Sequence, residues 1–232
     1  MGSVWAVVVA AGQSRRMSKG INKQLLPLAG RPVLAHSLAV LEAVSCLEGF
    51  VLVVSAPDVA RFHQLAKEKW GCCKLSNVVH GGDRRQDSVW EGLCALPSNT
   101  QTVLVHDGAR PLVCVEQVEK VVSEAVRWGA VSLAVPVKDT VKESSPDGFV
   151  VRTLARDLLW LTQTPQAFSY SLLIDAHCRA RQTHTVATDD AALVEAMGYR
   201  VKLVEGSYSN IKITTPEDLA VAEALWQIKN QS

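Results

Sequence analysis

The sequence predicts an α/β fold, a doubly wound and mostly parallel sheet with helices on both faces. Short apolar runs alternate with segments of helical period along most of the chain. The first run, Val4–Val9, is unbroken, as expected where both faces of a parallel strand are covered. Apolar residues make up 48% and charged residues 20% of 232 positions, enough for a sizeable core.

After Val4–Val9, "GRPVLAHSLAVLEAV" sets Pro32 in a first helical turn, with Val33, Leu34, Leu38 and Leu41 at helical spacing. A strand over 50–55 and a helix over 58–70 follow. A strand over 75–79 then runs into "HGGDRRQDSVWEGLCAL", a glycine turn opening a helix. The spacing next predicts a strand over 102–106, a helix over 115–128 and a strand over 130–137. The polar stretch "VKDTVKESSPDGFVVRTLARDLLW" interrupts this rhythm. Its Pro-Asp-Gly turn between alternating residues reads as a β-hairpin standing off the sheet, either a packing arm or a plain surface hairpin. Helices over 169–181 and 189–197 and strands over 199–204 and 211–213 follow. Thr215 and Pro216 then stand as N-cap and first residue of a last helix.

A net charge of +1 provides no global field for nucleic acid or an anionic membrane. No apolar run approaches the ~18–20 residues that span a bilayer, and the first valines lack the flanks of a signal peptide. The six cysteines are scattered without zinc spacing, which suits buried thiols in a reducing cytoplasm.

The chemistry gathers where predicted strands end. Ala10, Ala11 and Gly12 bring bare backbone to such an end, and Arg15, Arg16, Lys19 and Lys23 follow closely. This loop reads as a phosphate site or a simple surface loop. Neither G-x-G-x-x-G nor G-x-x-x-x-G-K-[ST] occurs, which disfavours dinucleotide oxidoreductases and P-loop enzymes. In "GGDRRQDSV", Arg85 is placed to pair with phosphate or to stand exposed in a helix's first turn. In "VLVHDGARP", Asp107 suits one hard cation bridging phosphates, or an Asx turn. His106 reads as a packed core histidine, and Lys212 as an exposed strand residue unless its strand faces the site. Fixed cations, glycines and a carboxylate without an evident general base suit a nucleophile that arrives ionised, such as a phosphate monoester with its second pKa of about 6. Phosphoryl or nucleotidyl transfer then needs alignment and charge neutralisation.

In order, "AAGQSRRM…NKQLLPLAGRPVLAHSL", "GGDRRQDSV", "VHDGARP", "PVKDTVK", "QTPQAF", "ATDDAALVE" and "VEGSYSNIKITTPEDL" resemble the 2-C-methyl-D-erythritol 4-phosphate cytidylyltransferase family over nearly the whole chain. The resemblance implies a three-layer α/β/α Rossmann-like nucleotide-diphospho-sugar transferase fold in one domain, 1–232, with residues 138–158 as a dimerisation arm. It implies transfer of CMP from CTP to methylerythritol phosphate with release of pyrophosphate, dependent on Mg²⁺ or another divalent cation, in a cytoplasmic homodimer. Ala10, Ala11 and Gly12 would line the CTP, with Gly82, Asp83 and Ser88 around the cytosine and ribose. Arg16 and Lys23 would neutralise the α-phosphate, and Asp107 would hold the metal. Thr140, Arg156 and Lys212 would grip the methylerythritol phosphate, with Gly108 beside them and Arg110 and Thr188 near its hydroxyls. Arg156 would serve the partner's site. The chain departs from the pattern at Asn22, where Pro often precedes the catalytic lysine, and Gly108 stands where Ala is also seen. The rival readings are a ribitol-5-phosphate cytidylyltransferase and a non-catalytic nucleotide-binding module.

Overall fold

The computed structural model describes residues 2–12 and 22–231. In chain order, β1 (Val4–Val9) is followed by the short antiparallel pair β2 (Pro27–Leu28) and β3 (Arg31–Pro32), then α1 (Val33–Ala43) and β4 (Gly49–Val54). Next come α2 (Val59–Gln64), continued by a π-helical turn at Leu65–Lys69, then β5 (Leu75–His80), α3 (Arg85–Cys94) and β6 (Thr102–Asp107). Then α4 (Val115–Trp128), β7 (Ala130–Pro136), β8 (Lys142–Ser144), β9 (Val150–Thr153) and β10 (Trp160–Ser169) follow. The chain closes with α5 (Tyr170–Thr183), α6 (Asp190–Glu195), β11 (Lys202–Glu205) and α7 (Pro216–Gln231).

Among the described residues the central sheet has seven strands in the order β11-β7-β10-β6-β1-β4-β5. Its pairs are parallel except those made by β10, which runs antiparallel to β6 and β7. From β1 the chain builds outward through β4 and β5, then returns to lay β6 on the other side. That reversal between β1 and β6 opens a crevice at their carboxyl ends, where open α/β sheets take ligands.

The sheet is covered on both sides, which is why β1 carries no polar residue. Val4, Ala6 and Val8 face Leu34, Leu38, Phe62 and Val121, while Val7 and Val9 face Val89, Leu93 and Leu173. A Cβ on Gly92 would collide with Val7, so α3 lies directly on β1 because this position is glycine. A third, smaller cluster of Leu28, Val33, Leu112, Ile213 and Ala222 fastens α7 beneath the β2–β3 turn.

The hairpin expectation holds: β8 and β9 pair antiparallel around a turn with Gly148 at φ 90°, apart from the central sheet. Thr215 caps α7, its hydroxyl accepting from Asp218 N at 3.4 Å. One expectation fails, and one strand is unannounced. Residues 211–213 form no strand; they run as a loop held by Ile213 N donating to Ala109 O at 2.9 Å. The unannounced strand is β10. "WLTQTPQAFS" is half polar and contains Pro165, which argues against a central strand. The ladder tolerates it because the register breaks between Thr162 and Gln166, where no amide of Pro165 is required.

Candidate active site

A cleft of about 630 Å³ opens at the carboxyl ends of β1 and β6. The two strands end level, Val9 opposite Asp107, and Gly108 N donates to Val9 O at 2.9 Å. This register sets residues 10–12 beside the carboxylate. Ala11 and Gly12 line the cleft, and none of the described residues comes within 4 Å of a Cβ added to Gly12. Ala10 is buried behind them, its amide donated to Val53 O at 2.7 Å. Arg16, with Arg15 and Lys19, lies outside the described residues.

The opposite wall is the loop between β5 and α3. Gly81, Gly82, Asp83, Arg85 and Ser88 all line the cleft. A Cβ on Gly81 would stand 2.5 Å from both Ala11 Cβ and Ser88 Oγ, and one on Gly82 2.5 Å from Asp87 Cβ. Glycine is therefore what lets the first loop, this loop and α3 meet. Ser88 is buried, with its hydroxyl donating to Arg84 O at 3.1 Å.

Lys23 begins a 3₁₀ turn at Lys23–Leu25, with its Nζ donating to Ile213 O at 3.3 Å. The Asn22 side chain accepts from Gln24 N at 3.1 Å and donates to Asp58 Oδ2 at 3.2 Å. Two side-chain bonds thus constrain the turn where a proline ring would do so, and they tie it to the 55–58 segment across the cleft.

Asp107 is the electrostatic centre. Its side chain is 8% exposed, with Oδ1 3.0 Å from Arg85 Nε and Oδ2 2.6 Å from Lys212 Nζ. Burial pushes its pKa up, but Arg85 and Lys212 outweigh that and hold it far below the usual carboxylate range. The Arg85 guanidinium is turned inward: Nε meets Asp107 and NH1 meets Asp190 Oδ2 at 2.7 Å. Burial opposes its charge, and the two carboxylates together overcome burial and raise its pKa. Arg85 thus lines the cleft and pairs with Asp107 there, a contact that spacing along the chain does not reveal.

Of the remaining predicted residues, Lys212 lines the cleft from the loop after β11. Gly108 is buried, its carbonyl accepting from Ser37 Oγ at 2.9 Å. Arg110 lies beneath the same loop, NH1 donating to Asn210 O at 2.6 Å; burial lowers its pKa. Thr140, Arg156 and Thr188 are exposed and do not line the cleft. Arg156 stands at the foot of the hairpin and donates to Lys138 O at 2.8 Å.

Several residues of the site escape sequence reasoning. Ala56 and Pro57 line the cleft without a motif to mark them, and Gln24 lines it from within the quoted stretch that carries Lys23, with no role assigned to it. Thr164 Oγ1 accepts from Asp107 N at 2.9 Å from within the unanticipated β10. Fully buried Asn210 holds the Lys212 loop, its Nδ2 donating to Thr164 O at 3.0 Å and Gln163 Oε1 at 3.1 Å. The signals were present in "QTPQAF" and "SYSNIK", but their geometry was not. Among the described residues no group of three His, Cys, Asp or Glu side chains is arranged to hold a metal ion.

The cleft therefore offers bare backbone on two glycine-bearing loops, cations at Lys23 and Lys212, and a carboxylate kept ionised. Such an arrangement can balance negative charge brought close to the main chain. The family model described as 2-C-methyl-D-erythritol 4-phosphate cytidylyltransferase matches residues 4–227. A curated protein of that name from Pelotomaculum thermopropionicum is 53% identical over 97% of this chain and 94% of its own. One from Desulforamulus reducens is 50% identical over 99% and 98%. The crystal structure of 4-diphosphocytidyl-2C-methyl-D-erythritol synthase from Anaerococcus prevotii superposes with a TM-score of 0.87 at 33% identity, covering 97% of this chain and 96% of that one.

Proposed function

Because the chain belongs to the 2-C-methyl-D-erythritol 4-phosphate cytidylyltransferase family, we propose that it transfers CMP from CTP to 2-C-methyl-D-erythritol 4-phosphate. A phosphate oxygen of the acceptor attacks the α-phosphorus of CTP in line. The bond from that phosphorus to the bridging oxygen breaks, and pyrophosphate leaves with the electron pair. The attacking group is ionised at neutral pH, so no protein base is needed. The chain's own work is orientation and neutralisation of the charge that grows on the α-phosphate.

Ala11, Gly12, Gly82 and Ser88 hold the nucleotide, with Ala10 behind them and Asp83 at the rim. Lys23 and Arg16 balance the α-phosphate. Lys212, Arg110, Thr140, Thr188 and the Gly108 backbone serve the acceptor, together with Arg156 from a second subunit. The observation that best supports this division is the meeting of Lys23, Asp107 and Lys212 in one cleft at the strand-order reversal.

Two carboxylates, Asp83 and Asp107, line the cleft, a number that fits Mg²⁺ or a similar cation, which keeps one or two carboxylates and otherwise takes phosphate and water. Asp107 would hold it; the ion supplies neutralisation of the triphosphate charge. Free cysteines and the absence, among the described residues, of a helix able to cross a membrane support a cytoplasmic setting.

The hairpin is the proposed dimer arm. Phe149 is 73% and Leu158 81% exposed, and Val150 and Val151 lie beside them uncovered, apolar surface that a second subunit would bury. Pyrophosphate release with CTP and either methylerythritol phosphate or ribitol 5-phosphate tests the substrate. Turnover with the first alone is expected; turnover with ribitol phosphate alone would refute the reading.

A further inference from the structure

Behind the cleft, buried polar groups run in series into the protein. His177 Nε2 donates to Asp190 Oδ1 at 3.1 Å, and Arg85 NH1 meets Asp190 Oδ2 at 2.7 Å. Arg85 Nε then meets Asp107 Oδ1, and Lys212 the other Asp107 oxygen. The charges alternate from Asp190 through Arg85 and Asp107 to Lys212. His177 is 0% and the Asp190 side chain 1% exposed, and neither lines the cleft.

Asp190 is held from several directions. Asp189, the cap of α6, accepts from Ala192 N at 3.0 Å and from Gln166 Nε2 at 2.9 Å. The other end of the Gln166 amide accepts from Ala191 N at 3.2 Å. The start of α6 is thereby pinned to β10, the strand whose Thr164 receives the Asp107 amide.

Stability does not account for this arrangement. Well-packed apolar residues usually serve a core as well as buried ion pairs do. What a buried pair supplies is a fixed direction, here for a guanidinium divided between two carboxylates. We propose that Asp190, oriented by His177, is the positioning residue that holds Arg85 between two acids and so sets the Asp107 carboxylate in the cleft. The inference rests on the proposed role of Asp107. Without the Asp190 charge, the guanidinium has one acid left to pair with. Arg85 NH2, buried and without a hydrogen-bond partner among the described residues, gives it a second donor to turn onto Asp107, drawing that group out of line with Lys212.

The test compares Asp107→Asn, Asp190→Asn, Arg85→Gln/Asp190→Asn and the parent enzyme by kcat, KM for each substrate, calorimetric CTP affinity and Tm. Asp107→Asn should be nearly inactive; parental turnover there would remove the role assigned to Asp107 itself. Given an inactive Asp107→Asn, Asp190→Asn should lose about tenfold or more in kcat, as small misplacements of reacting groups do. Its CTP affinity measured without divalent cation should stay within about twofold of the parent, because the loops that line the nucleotide's base and ribose are untouched. The double variant should recover severalfold over Asp190→Asn, because no guanidinium remains to turn. Parental kcat in Asp190→Asn, parallel losses of kcat and CTP affinity, or a double variant no better than the single would each overturn the positioning role while leaving Asp107 in place. If Asp190→Asn does not fold, His177→Phe replaces it. A kcat severalfold lower at unchanged CTP affinity, restored by the amide donor of His177→Gln, is expected, and parental kcat in His177→Phe overturns the proposal.

Discussion

Lys212 Nζ stands 2.6 Å from Asp107 Oδ2, joining the loop after the last strand to the end of a central one. An ammonium held there lies within the cleft before any acceptor arrives. Lys212→Ala should raise KM for the polyol phosphate and lower kcat, with CTP affinity near that of the parent. Removing divalent cations with EDTA should abolish pyrophosphate release, and Mg²⁺ should restore it. Unaltered acceptor kinetics in Lys212→Ala would show that the pair only fastens the loop.

Lys23 opens the turn that Asn22 ties to Asp58. Lys23→Ala and Arg16→Ala should each lose about 10²-fold or more, mostly in kcat, as groups that stabilise transition-state charge do. Steady-state kinetics decide it. Full turnover in both would mean that neither group meets the α-phosphate.

Arg156 sits on the exposed arm and does not line the cleft of its own chain. Arg156→Ala should weaken polyol phosphate binding while leaving CTP binding intact. Deleting residues 143–151 should give monomers of low activity by light scattering. An active monomer would remove the arm from the mechanism.

Gly81 lies where three segments converge, and an added Cβ would stand 2.5 Å from Ala11 and Ser88. Gly81→Ala must push the first loop away from α3, so calorimetry should show CTP affinity at least tenfold weaker. Gly108→Ala meets the Leu34 Cδ1 methyl at 2.6 Å, the end of a flexible side chain, and should be far milder.

His36 donates to Leu28 O at 2.8 Å and packs 4.3 Å from the Trp226 ring, joining the β2–β3 turn to α7. Burial lowers its pKa below 6.5, with the Leu28 bond opposing and nearby Arg31 assisting. As pH falls through about 6.5 the unfolded chain therefore takes up the proton first. This contribution to stability is whole above that pH and is lost below it. Tm should fall as pH is lowered from 7 to 5. His36→Gln keeps a donor that cannot titrate and should flatten the slope; an equal slope would place the titration elsewhere.

What was legible in the chain is what neighbouring residues settle among themselves. Alternation of apolar runs with helical periods revealed β1, β4, β6, β7 and the helices between them. Pro-Asp-Gly announced the hairpin, and Thr215-Pro216 the start of α7. Small residues at strand ends indicated where a polyanion would lie, and the motif order pointed to the family.

Tertiary structure alone decided which of those residues meet. β10 became a central strand because its partners β6 and β7 pair with it around Pro165, against its local composition. Residues 211–213 resemble a strand but join no ladder, because the loop anchored by Asn210 carries them to the Ala109 carbonyl. Arg85 reads along the chain as a phosphate partner or an exposed charge of a first helical turn, and only the fold reveals its pairing with two carboxylates. Periodicity and turn chemistry act over a few residues. The pairing of Asp107 with Lys212, and of Arg85 with Asp190, spans about a hundred, and only the closed fold makes an unpaired charge at either end too costly to leave.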